Sequence, residues 1–161
     1  MARLRTQLLD RTLAGLDRIA ARRGRGAATD QQLTGIEGEE AAYFYLRRKG
    51  YTVVARRWTA GNAPGDLDLI AWQAQTLCFF EVKTRTAHDA TPAEAAIDEH
   101  KRNVLRRLAR EYVRQLSVEE APIVRFDVIG VYLVPGEERE VTHFENAFTG
   151  GEGQGEQQRS R

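Results

Sequence analysis

At 161 residues, with 42% hydrophobic side chains, the chain has the length and apolar content of one globular domain. A formal net charge of +1 excludes a polycation, so any affinity for nucleic acid must come from where the charges sit. No apolar stretch reaches the ~20 residues of a membrane span, and the N-terminus lacks the continuous apolar core of a signal peptide. The lone Cys78 cannot form an intrachain disulfide, which fits a reducing compartment, so a cytoplasmic protein without membrane contact is expected.

Residues 1–33 read as a basic arm. Met1 to Gly26 carries seven arginines against Asp10 and Asp17, a local charge of +5. Leu9, Leu13, Leu16 and Ala20 recur at helical spacing, an amphipathic pattern. Gly24 to Gln32 is small and polar and reads as a linker. The arm fits a contact with nucleic acid or a partner, a mitochondrial-type presequence, or a frayed tail without a role.

The domain is expected over 34–148. Ile36 to Lys49 reads as its first helix, stopped by Gly50. At 100° per residue Ile36, Ala42, Tyr43 and Leu46 form an apolar arc with Glu39 in its middle. A carboxylate on an inward stripe is costly unless paired or bound to metal, although an acid at a helix start is also favoured by the dipole. Tyr51 to Trp58 reads as a strand, Thr59 to Gly65 as a loop, and Asp66 to Trp72 as a second strand. Alternation puts Asp66, Asp68 and Ile70 on one face and Leu67, Leu69 and Ala71 on the other.

Thr76 to Thr84 is the central strand, an unbroken apolar run that then admits Glu81 and Lys83 on the face of Phe79. With the preceding strand it should form a hairpin. Thr91-Pro92-Ala93-Glu94 has the form of a capping box with proline at the first helical position, opening a helix to about Leu116. Ile97, Val104, Leu105, Leu108 and Tyr112 make its apolar face, into which Lys101 projects. Arg102, Arg106, Arg110 and Arg114 line the other side, as a solvated face or a stripe for a duplex. Val124 to Leu133 is another strand, Val141 to Phe148 an edge strand or irregular segment, and 149–161 a disordered tail by composition.

Helix, three strands, helix, strand implies an α/β fold with a mixed central sheet flanked by helices. Glu39, Asp68, Glu81 and Lys83 point where a core should be, with Lys101 as a fifth. Asp68 and Glu81 on neighbouring strands can offer oxygens to one hard cation, Mg²⁺ or Mn²⁺, with Glu39 completing the shell or holding a ligand water. Lys83 can then position a water and balance charge on a phosphate. The three histidines have no metal-ligand spacing, which argues against zinc.

Gly35-x-x-Gly38-Glu39-x-x-Ala42, Gly50-Tyr51, Gly65-Asp66-Leu67-Asp68-Leu69-Ile70-Ala71 and Phe80-Glu81-Val82-Lys83-x-Arg85, in that order, resemble the YraN-like family of uncharacterised bacterial proteins. That family resembles restriction-endonuclease-like nucleases, close to archaeal Holliday-junction resolvases. The resemblance covers Thr34 to Phe148. It implies the restriction-endonuclease-like fold, Glu39, Asp68, Glu81 and Lys83 as active-site positions, Mg²⁺ as cofactor, and a homodimer by analogy with resolvases. Asp66 departs from the family pattern, which more often has Glu there. Asp66 and Asp68 share a face, and Asp68, further into the strand, is the preferred ligand.

Three readings follow. One is a metal-dependent nuclease on DNA, branched or structured. The second is a nucleic-acid-binding module without turnover. The third is an interaction protein whose polar cluster is structural.

Overall fold

The computed structural model describes residues 29–61, 63–88, 97–116 and 120–150. The basic segment up to residue 28, the Thr91 capping box and the tail from 151 lie outside them. Among the described residues two helices, α1 (Asp30–Arg48) and α2 (Glu99–Arg114), accompany five strands: β1 (Thr52–Trp58), β2 (Leu67–Gln73), β3 (Thr76–Arg85), β4 (Ile123–Tyr132) and β5 (Glu140–Phe148). The sheet order is β1-β2-β3-β4-β5. Only β3 and β4 run parallel, and α2 lies in the crossover between them. The fold is thus α/β with a mixed five-stranded sheet.

The strand β3 is central because its apolar run is buried on both faces. Leu77, Cys78, Phe79 and Phe80 are all buried. Phe79 and Leu77 join Ile70, Phe126, Leu105 and Leu108 in a core layer under α2. Cys78 and Phe80 join Leu69, Ala71, Ile129, Val131 and Leu46 in a second layer under α1.

The first helix begins earlier than expected. Thr29 is its N-cap, and its hydroxyl accepts from the N–H of Gln32 while the Gln32 side chain accepts from the N–H of Thr29. This reciprocal capping box pulls 30–32 out of the expected linker and into the helix. The buried side of α1 is Gly38, Ala41, Ala42 and Leu46, with Ile36 and Tyr43 only half-buried. Small residues bring the helix axis close to the sheet. A Cβ added at Gly38 would lie 1.8 Å from Thr84 Oγ1.

The second helix starts later than expected, at Glu99. Asp98 is extended and its carboxylate caps the N–H of Lys101 at 2.7 Å. The helix expected from Thr91 is therefore not continuous through Ile97 and Asp98, and Ile97 packs into the core from just before the first turn. Glu140–Phe148 is a regular edge strand, antiparallel to β4.

Candidate functional site

The strands β2 and β3 are a hairpin pair, paired from Gln73↔Thr76 to Leu69↔Phe80. There they part. Leu67 at the far end of β2 pairs only with Trp58 of β1, while β3 continues beside β4 to Arg85↔Tyr132. The next pair in the interrupted register would be Asp68 and Glu81. The two acids thus stand at the mouth of a fork in the sheet. The N–H of Val82, past the end of the β2 ladder, donates instead to Asp68 Oδ2 at 2.7 Å. At the fork the alternation of β2 breaks down. Leu67, expected with Leu69 and Ala71, packs with Ile70 in the layer under α2.

Glu81 is 4% exposed and meets two ammonium groups. Lys83 Nζ donates to its Oε1 at 2.9 Å, and Lys101 Nζ from α2 lies 3.0 Å from its Oε2. Burial pulls the Lys101 pKa down, but Glu81 outweighs that and leaves it raised, so the side chain stays an ammonium. Among the described residues no cation pairs directly with Asp68. Burial first, and the Glu81 charge second, push its carboxyl up to about 8 against the opposing Val82 N–H. Two acids in one dry place cannot both ionise easily.

Glu39 sits on α1 across an open cleft of about 720 Å³, whose walls also include Asp68, Glu81, Thr34 and Thr84. Its carboxylate is held by Arg57 Nε at 2.9 Å, and burial raises its pKa although Arg57 opposes the rise. Arg57 has a φ of +47° inside β1, a conformation rare for a non-glycine residue. Nothing in the periodicity of β1 signals that role; only its doubling with Arg56 hints at a local charge need. Asp66 lies just before β2, outside the strand, and not Asp66 but Asp68 takes the Val82 N–H. So the fork joins Asp68, Glu81, Lys83 and Lys101, with Glu39 facing them across the cleft. Among the described residues no three His, Cys, Asp or Glu side chains are grouped ready for a metal ion.

Two other features resolve differently. In the arginine row of α2, Arg106 contacts Glu99, Asn103 and the Thr149 carbonyl, Arg114 pairs with Glu111, and Arg102 bonds the Ile97 carbonyl. Arg102 and Arg106 also lie over the Phe148 ring, so this half of the row packs α2 against the end of β5, while Arg110 and Arg114 are exposed. Asp127, fully buried, accepts from Arg125, from His143 Nε2 and from the N–H of Asn146, tying β5 to β4. Nothing in the local sequence signals these partners on β5.

A protein-family model described as "Uncharacterised protein family UPF0102" matches residues 38–131, a span that contains Glu39, Asp68, Glu81, Lys83 and Lys101. A UPF0102 protein of Koribacter versatilis is 50% identical over 115 residues, covering 71% of this chain and 78% of the relative. One from Solibacter usitatus is 46% identical over 96 residues, covering 60% of this chain and 72% of its own. One from Nocardia farcinica is 42% identical over 122 residues, covering 74% and 91%.

Proposed function

The chain belongs to the uncharacterised protein family UPF0102, a name that carries no activity, and from the chemistry of its sheet fork we propose that it is a metal-dependent nuclease of the restriction-endonuclease-like kind, hydrolysing phosphodiester bonds in DNA. The observation that carries the reading is the pair Asp68 and Glu81, placed side by side where β2 and β3 part, with two lysines converging on Glu81. A core has no use for such a group, because each buried charge costs several kcal/mol before it is paired. It opens onto a cleft rather than into packed side chains.

The donor set fits a hard cation. Asp68 and Glu81 offer only carboxylate oxygens, and Mg²⁺ is held by one or two carboxylates together with waters and substrate phosphate oxygens. Glu39 would complete the shell or hold a ligand water. When bound, such an ion lowers the pKa of a water and polarises a phosphoryl oxygen. The chain's own part is positional. Asp68 is fixed by the Val82 N–H. Lys83, on the strand that carries Glu81, can orient the attacking water, and Lys101 can balance charge growing on the phosphate. The resolvase resemblance extends the proposal to branched or structured DNA and to a homodimer.

The second reading, a nucleic-acid-binding module without turnover, is favoured by one observation: Glu39 and Glu81 already have cationic partners in Arg57, Lys83 and Lys101. A panel of single-stranded, duplex, flap and four-way-junction DNA, incubated with Mg²⁺, Mn²⁺ or EDTA, separates the two. Metal-dependent cleavage of any member supports the nuclease. Binding without cleavage in either metal supports the module.

A further inference from the structure

Glu81 is oversupplied with positive charge. One ammonium neutralises a carboxylate, and Lys83 does so from two residues along the same strand, at 2.9 Å from Oε1. Lys101 comes from a different element, α2, and takes the other oxygen at 3.0 Å. Its charge also acts on Asp68. Across the cleft Arg57 holds Glu39. Glu39 and Glu81 are thus each already paired, with Arg57, Lys83 and Lys101 as partners, and a divalent ion entering the site would add positive charge beside cations already in place.

We propose that Lys101 is a built-in stand-in cation. In the metal-free chain its ammonium occupies the cation's place on Glu81 Oε2, and it leaves when a divalent ion loads. This rests on the reading of Asp68 and Glu81 as the metal carboxylates. Two features of Lys101 suit the role. Its main chain is fixed, because Asp98 accepts its N–H at 2.7 Å. Its side chain is 30% exposed, on a long flexible stem, so the head can move into water while the helix stays in place. Lys83 is anchored on the strand beside Glu81 and keeps its bond to Oε1. Release of Lys101 from Glu81 then delivers an ammonium to the cleft only once the metal is present.

Two measurements test the displacement. Calorimetric titration with Mn²⁺ compares the wild type with Lys101→Met, which keeps the packing and removes the charge. Lysine acylation of the wild type, read by mass spectrometry with and without Mg²⁺, needs no variant to fold. Lys49, exposed on α1, is the internal control. The expected result is Mn²⁺ binding severalfold tighter in Lys101→Met, with Mg²⁺ accelerating acylation at Lys101 and not at Lys49. Wild-type binding with unchanged or weaker affinity in Lys101→Met, or acylation of Lys101 that Mg²⁺ leaves unchanged or slows, overturns the stand-in role and leaves the metal site standing. No Mn²⁺ binding to either protein overturns both.

Discussion

The carboxylate of Asp68 accepts the main-chain N–H of Val82 at 2.7 Å, and so closes with a side chain the hydrogen-bond ladder that β2 and β3 abandon after Leu69 and Phe80. The same contact fixes the acid beside Glu81. Structure and proposed chemistry thus meet in one bond. Asp68→Asn keeps an oxygen for Val82 and removes the titratable carboxyl.

The pH dependence of stability follows from that acid. Burial and Glu81 raise its pKa in the folded chain from the ordinary 3.8 to about 8. The folded state thus holds a proton that the unfolded chain gives up. The associated stability is fully present below pH 3.8 and lost as pH rises toward 8. Melting temperatures of the wild type should fall relative to those of Asp68→Asn across this window, and the two curves should converge at its acid end. Parallel curves would contradict the shift.

Gly38 lets α1 touch β3. In Gly38→Ala the new Cβ would meet Thr84 Oγ1 at 1.8 Å, so the helix must lift. Overpacking of this kind costs about 1–3 kcal/mol, read from urea denaturation midpoints. Gly38→Ala in a Thr84→Ala background should recover part of the loss, because the two sites are in contact. Full additivity would argue against the clash.

Much of this site was legible because period and spacing act locally. Alternation placed Glu81 and Lys83 on one face, and helical spacing placed Lys101 among Val104, Leu105 and Leu108, where it does reach Glu81. Other features were set by contacts across the sequence. The end of the β2–β3 ladder depends on the paths of both strands, and the Arg57 grip on Glu39 depends on a positive φ inside a strand. The start of α1 was misplaced because polar composition between Gly24 and Gln32 outweighed the Thr29/Gln32 capping box. The start of α2 was misplaced because Thr91-Pro92 offered a second cap upstream of Asp98.

Asp127 anchors the β4–β5 edge. Burial pushes its pKa up, but hydrogen bonds from His143, Arg125 and the Asn146 N–H overcome this and hold it below the ordinary 3.8. Its contribution is present above that value and fades as pH falls below it. Asp127→Ala at pH 7 removes the acceptor shared by His143, the Asn146 N–H and Arg125, although Arg125 keeps Gln73, Tyr51 and Glu145, and should cost about 1–3 kcal/mol, the range for buried polar groups left unsatisfied. A loss below about 1 kcal/mol, the worth of an exposed pair, would contradict a buried anchor.

Cys78 is buried, and burial pushes its thiol up to about 12. The thiolate is the reactive form. The folded protein should therefore resist a thiol-exchange reagent at pH 8 and react fully once denatured. Rapid reaction of the folded chain would contradict the core assignment.

The central claim is that Asp68 and Glu81 hold the ion of a phosphodiesterase. Its most direct test is cleavage of DNA by the wild type and Glu81→Gln side by side, in Mg²⁺ and in EDTA, with circular dichroism to show that both are folded. The account predicts cleavage by the wild type in Mg²⁺, none in EDTA, and a rate in Glu81→Gln lower by about 10² or more, the scale of losing one charge-stabilising group. Equal rates in the two folded proteins, or cleavage that survives EDTA, would contradict it.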